Sequence, residues 1–233
     1  MSQFETTRWS LVLQARDDAP KARAALETLC RIYRPPVLAY VRGRGYSPET
    51  AEDLVQTFFT RFLEHAWHAS ADPTRGRFRA YLLTALKRYL IDSHAEARAI
   101  KRGGRLHFES LDTENSPTPA SEDTPERAFE RAWALAVLHA AIHRLQAEAE
   151  QTGKRELFVA LREFLIERPD ESDYARAAQK LGLRRNTLAV AVHRLRHRLR
   201  ELVQTELAQT AGNENDFNEE MRELRDALGT ALG

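Results

Sequence analysis

Residues 173–202 read DYARAAQKLGLRRNTLAVAVHRLRHRLREL, and the layout of that stretch decides the fold. Ala175, Ala178 and Leu181 share one face of a first helix, where small side chains permit close packing. Gly182 follows where a left-handed residue has to end that helix. Leu183 closes the corner. In the next helix Leu188, Val192, Leu195, Leu199 and Leu202 form one apolar stripe at helical spacing. The stripe leaves Asn186, Val190, His193 and His197 opposite, flanked by Arg194 and Arg200, with Arg184 and Arg185 at the helix entry. Two helices meeting at a glycine corner, the second carrying polar and basic residues on its free side, predict a helix-turn-helix. Its outward residues suit phosphates and base edges in a major groove.

Outward from this unit the pattern stays helical. Apolar spacing predicts helices over about 126–150, 153–167, 173–181 and 186–208, and an amphipathic acidic segment at 214–228 with Phe217, Met221, Leu224 and Leu228 on one side. Towards the N-terminus it predicts helices over about 6–16, 20–32, 36–44, 48–67 and 76–101. Ser47 is the expected N-cap of the 48–67 helix, with Pro48 at its first position. No alternating apolar run suggests a strand, so the fold class is all-α. Residues 106–125, LHFESLDTENSPTPASEDTP, combine Pro, Ser, Thr and acids with few apolar anchors, the composition of a flexible linker. The expected domains are therefore 1–105 and 126–208, joined by that linker and followed by an acidic extension over 209–233.

The chain's net charge of +1 hides an uneven distribution. Residues 61–105 carry ten Arg/Lys against four acids, and residues 172–205 carry eight against two. Between them, 106–126 holds six acids and no Arg or Lys. Two polyanion-binding surfaces are the natural reading, beside the plainer one of two solvated helix faces. The first block interleaves aromatics with cations: Phe78, Tyr81 and Tyr89 stand among Arg75, Arg77, Arg79, Lys87, Arg88 and Arg98. Aromatic faces that stack on unpaired bases, beside cations that hold the backbone, are what single-strand binding requires. Phe78 and Leu82 fit a core stripe, whereas Tyr81 and Tyr89 fit either role.

Three segments, YSPETAEDLVQTFFTRFLE, FRAYLLTALKRYLIDSHAEARAIKRG and YARAAQKLGLRRNTLAVAVHRLRHRLREL, stand in this order with an acidic linker before the last. Together they resemble the extracytoplasmic-function group of bacterial RNA polymerase sigma factors, over about 1–105 and 126–208. The resemblance implies two partners, core RNA polymerase and promoter DNA. It implies that the first domain docks on the clamp helices of the largest polymerase subunit through the 48–64 helix, with Glu49, Glu52, Asp53, Gln56, Thr57 and Thr60 as contact face. The 70–98 region would melt and read the minus-ten element with Arg75, Arg77, Arg79, Tyr81, Lys87, Arg88 and Tyr89. The 186–200 helix would read the minus-thirty-five element with Arg184, Arg185, Asn186, Thr187, Val190, His193, Arg194 and His197, while the linker threads towards the RNA exit channel.

Departures from the group limit the transfer. Its members often have tryptophan where Tyr81 stands, asparagine at Arg88 and a basic residue at Ala189, so the promoter sequence does not carry over. They commonly have glutamate where Thr57 stands. On a helical wheel Thr57 and Thr60 look outward with Glu49, Asp53, Gln56 and Glu64, opposite Ala51, Leu54, Phe58 and Phe62. A phosphate on Thr57 would restore the missing negative charge, which implies a serine/threonine kinase as a further partner and Thr60 as the weaker acceptor. The plain alternative is that threonine is tolerated there and Glu52 with Asp53 suffices. The extension from 209 is absent from minimal members; it folds back on a basic surface, binds a regulator, or stays a frayed solvated helix.

Other chemistries find little support. His139/His143 and His193/His197 have i, i+4 spacing but no evident third ligand and no HExxH glutamate, so no metal is expected. Without a phosphate-binding glycine loop, nucleophile elbow or paired carboxylates in a plausible cleft, neither catalysis nor a cofactor is expected. Cys30, alone and in a helical pattern with Leu26, Leu29 and Tyr33, reads as a small core hydrophobe. No bilayer-spanning apolar run or secretory start is visible, which predicts a cytoplasmic chain without membrane insertion. A free-standing helix-turn-helix regulator and a helical adaptor remain alternatives. The first domain separates them, because a simple regulator needs a dimerisation or ligand domain instead of a stacking platform and an acidic docking helix.

Overall fold

The computed structural model describes residues 20–64, 77–103, 124–166 and 170–232. Among them are eight α-helices and no strand: α1 Pro20–Gly43, α2 Pro48–Glu64, α3 Phe78–Gly103, α4 Pro125–Gln151, α5 Arg155–Leu161, α6 Glu171–Leu181, α7 Arg185–Ala208 and α8 Glu214–Leu232. A short 3-10 turn, Arg162–Leu165, follows α5. The expected helix at 6–16, Arg75, and almost all of the 106–125 linker lie outside the described residues. The helices group into two compact units, one running to Ala136 and resuming at Ala208, the other Val137–Leu207. The C-terminal extension thus belongs with the first unit.

The first unit is built on an aromatic core. Leu29, Tyr33, Val37 and Val41 of α1 recur every four residues and are all buried, as are Ala51, Val55, Phe58 and Phe62 of α2. Phe78, Leu82, Leu86 and Tyr89 supply the buried stripe of α3. Phe78 meets Tyr33 edge-on at 4.9 Å and Phe62 at 6.4 Å, an arrangement favoured by the ring quadrupoles. Sequence spacing predicted a break between residues 32 and 36, but α1 runs through Pro35 and Pro36. Each proline deprives a carbonyl one turn back of its donor, at a cost of about 3 kcal/mol or more. The buried stripe crosses the prolines without losing register, and that burial holds the helix together. Ser47 caps α2 as expected: its Oγ accepts from the backbone N–H of Thr50 at 3.2 Å. Gly43 lies so near Pro125 that a Cβ would sit 3.0 Å from the proline Cα, so the end of α1 and the start of α4 need glycine there.

The second unit has two apolar clusters. Ala141, Leu145 and Ala149 of α4 pack with Phe158, Leu165, Leu199 and Leu202; Leu161 packs with Ala177, Ala178, Leu188 and Val192. The α7 stripe therefore serves both clusters. Asp170 starts α6 two residues earlier than the periodicity suggested, through a capping box. Its carboxylate accepts from the Asp173 N–H at 2.9 Å, and the Asp173 carboxylate accepts from the Asp170 N–H at 3.0 Å. Gly182 ends α6 at φ 62°, the left-handed conformation its position required. One detail differs: Ala175 is exposed, and Ala177 lies beside Ala178 in the cluster.

Candidate nucleic-acid and docking interfaces

Burying Leu188, Val192 and Leu199 orients α7 and fixes what it offers to solvent. Arg184, Arg185, Asn186, Thr187, Val190, His193, Arg194 and His197 are all exposed, Val190 to 50%. Together they line the entry and first turns of one helix. Arg185 pairs with the exposed Glu171 at 3.0 Å and His197 with Glu201 at 3.3 Å, contacts between exposed groups that a phosphate can exchange cheaply. Two further arginines of the basic block have structural tasks that their sequence does not announce. Arg196 donates from Nε to the Phe164 carbonyl at 2.8 Å. Arg198 donates to both Glu148 oxygens, at 2.7 and 2.8 Å, and to Glu201 at 2.7 Å. The hydrogen bond from Arg198 holds the Glu148 carboxyl below the usual carboxylate range. What the second unit presents is a polar and basic helix face with one apolar residue, Val190, suited to base-edge and phosphate contact.

On α2 the expected docking residues separate into two sets. Glu49, Asp53, Gln56, Thr57 and Thr60 are exposed on one side of the helix. Glu52 instead turns to α1, where Arg34 donates to it at 2.6 Å and Arg42 at 3.4 Å. The side chain of Glu64 lies outside the described residues. Carboxylates pointing outward along this face are thus Glu49 and Asp53, with the two threonine hydroxyls one and two turns further on.

The residues of α3 expected to meet DNA are less free than their sequence suggests, and the structure corrects the expected exposure of two of them, one basic and one aromatic. Arg79 is only 3% exposed and Tyr89 only 4%. The Tyr89 ring lies 5.6 Å from that of Phe58, inside the core, with the Arg61 guanidinium over it at 5.6 Å. Arg79 stacks on the Trp133 ring at 3.9 Å and pairs with Glu130 of α4 and Glu223 of α8. Burial, partly offset by Glu220, lowers the Arg79 pKa. Arg77 is also largely covered, with Glu223 at 2.9 Å. Tyr81 is half-buried beside Phe62, Lys87 pairs with Glu126 at 2.8 Å, and Arg88 is exposed. Trp133, Glu130, Glu219, Glu220 and Glu223 had no place in the sequence reading of this surface. The available signal was Glu219 and Glu223, four residues apart on the acidic amphipathic helix; of the readings open for that extension, folding back on a basic surface is the one the ion pairs to Arg77 and Arg79 match.

Among the described residues no helix is long and apolar enough to cross a membrane, and no group of three or more His, Cys, Asp or Glu is placed to hold a metal ion. Cys30 is half-buried, and burial pushes its thiol up to about 12.

No curated protein and no solved structure matches the chain. Residues 29–100, from the middle of α1 to near the end of α3, match the family model for sigma-70 region 2. The match covers 72 of the chain's 233 residues, the part that holds α2 and the aromatic stripe of α3, and over that part the chain is similar to sigma-70 region 2.

Proposed function

We propose that this chain is a sigma factor of the extracytoplasmic-function type, acting in the cytoplasm. It brings core RNA polymerase to specific promoters and helps to melt them, and the polymerase does the chemistry. The observation that carries this reading is the pairing, in one chain, of a sigma-70 region 2 match at 29–100 with a helix-turn-helix over Glu171–Ala208. The first unit docks through Glu49, Asp53, Gln56, Thr57 and Thr60 and handles the minus-ten element with the α3 region. The second reads the minus-thirty-five element with the exposed face of α7. Copurification with core polymerase, followed by transcription from a library of genomic fragments, tests it. Discrete transcripts that need both the chain and core polymerase are expected. Tight, specific duplex binding by the chain alone would favour a free-standing regulator instead.

Phosphorylation of Thr57 is a second part of the proposal. Glu52 is engaged by Arg34 and Arg42, so the exposed face has few carboxylates for basic polymerase residues, and Thr57 stands in the middle of it. A phosphate there adds roughly −1.5 to −2 charges and three acceptor oxygens that arginines grip strongly. A serine/threonine kinase thereby raises affinity for core polymerase, with Thr60 the lesser site. Thr57→Ala is expected to be inactive under inducing conditions and Thr57→Glu partly active. Full activity of Thr57→Ala, with polymerase binding indifferent to kinase treatment, overturns this part alone.

A further inference from the structure

Two arginines at the start of α3 face a helix from the far end of the sequence. Arg77 lies 2.9 Å from Glu223, 3.5 Å from Glu219 and 3.7 Å from Glu220; Arg79 pairs with Glu223 and, at 3.4 Å, with Glu220. All three glutamates belong to α8. Glu219 and Glu223 are separated by about 6 Å along the helix at its ordinary rise per residue. The Phe78 N–H donates to the Thr210 carbonyl at 3.4 Å, so the contact continues onto the corner that precedes α8.

The two arginines are held differently. Arg79 has Glu130 and the Trp133 ring from α4 as well, so it keeps partners if α8 leaves. The ion pairs of Arg77 among the described residues all go to α8. A row of carboxylates against arginines uses the same donors as a phosphate backbone. We propose that α8 is a built-in acidic latch: Glu219 and Glu223 occupy Arg77, and single-stranded DNA must displace them to use that arginine. The inference rests on the reading of the start of α3 as part of a minus-ten surface.

The grip of α8 is of the strength a competitor can overcome. Three glutamates of α8 face two arginines, one of which also pairs with Glu130 of α4, so α8 brings more negative charge than it neutralises. Glu220 is fully buried there, and burial raises its pKa despite the neighbouring arginines, the sign of a carboxylate that is costly to keep charged. The apolar hold is modest: Leu224 and Ala227 are buried, while Phe217, Met221 and Leu228 are only half so. Glu219 and Glu223 themselves are 49% and 42% exposed, within reach of solvent and of a competing anion.

The test uses the full chain and a fluorescent random-sequence single strand of about 12 nucleotides, read by anisotropy. Glu219→Gln/Glu223→Gln is expected to bind about tenfold more tightly than the unchanged chain, and adding Arg77→Ala should cancel the gain. Glu156→Gln/Glu163→Gln removes the same charge from exposed positions of the second unit and is expected to stay within about twofold. Leu224→Asp sets a carboxylate in the buried stripe of α8 and should reproduce the gain, with circular dichroism confirming that the remaining helices persist. Amide exchange in α8 should quicken when the oligonucleotide is added to the unchanged chain. Unchanged affinity in both variants overturns the latch, whether α8 exchange shows it released or still docked. Failure of the unchanged chain to direct core polymerase is a separate result, which counts against the functional reading.

Discussion

Within one turn of α7, Asn186 and Leu188 do opposite work. Leu188 is fully buried against Leu161, Ala177 and Ala178, so Leu188→Ala should cost the second unit about 2–5 kcal/mol, read by thermal or denaturant unfolding. Asn186 is exposed, and its amide suits adenine. Asn186→Ala should leave the unfolding midpoint alone and relax base preference at one promoter position by about 1–3 kcal/mol, measured by transcription from a randomised minus-thirty-five element. An Asn186→Ala chain with unchanged preference would mean that α7 is not the reading helix. This division was legible in the sequence, because helical spacing alone separates the stripe from its opposite face. Arg198 and Arg79 were not legible in that way: as residue types they look like DNA ligands, and only long-range packing brings Glu148 to one and Glu130, Glu220 and Trp133 to the other.

Among the elements, α2, α7 and the α6 to α7 corner follow from local signals such as a serine cap, a glycine stop and uninterrupted stripes. The continuity of α1 through Pro35 and Pro36 does not, since local propensity argues for a break and burial of Tyr33 and Val37 overrides it. The docking of α8 was also beyond local reading, because an amphipathic acidic helix does not name the surface it covers. Its electrostatics make a prediction in pH. Glu148 and Glu201 are held below the ordinary value of 4.5 by Arg198, so their contribution to the second unit is complete above that value and is lost as pH falls through their depressed pKa values. Glu220 has the opposite sign. Facing Arg77, Arg79, Tyr33 and Asp216, it is raised above 4.5 by burial, so the penalty of its charge is relieved as pH falls from neutral towards 4.5. Amide exchange in α8, corrected for its intrinsic pH dependence, should therefore slow over that range. In the second unit, Arg198→Ala should flatten the acid limb of the unfolding profile. Quickening of α8 exchange over the same interval would show that Glu220 is not buried as a charge.

For the whole molecule, the proposal divides labour between two small surfaces. The exposed face of α7 in one unit and the α3 region of the other each offer few contacts, and covalent linkage helps only where both can engage their targets together. Core polymerase is the scaffold expected to make that possible, which predicts weak duplex binding by the chain alone and selective binding once polymerase is present. The all-α class and the helix-turn-helix were readable from the sequence. The membership of the C-terminal helix in the first unit was not, because it depends on ion pairs between residues more than a hundred positions apart. The most direct measurement is transcription from a genomic fragment library with core polymerase, with and without the chain, mapping every start site. The account predicts a discrete set of start sites that appears only when both are present and that shifts in preference with Asn186→Ala. Failure of the chain to copurify with core polymerase, together with an unchanged set of start sites, would contradict it.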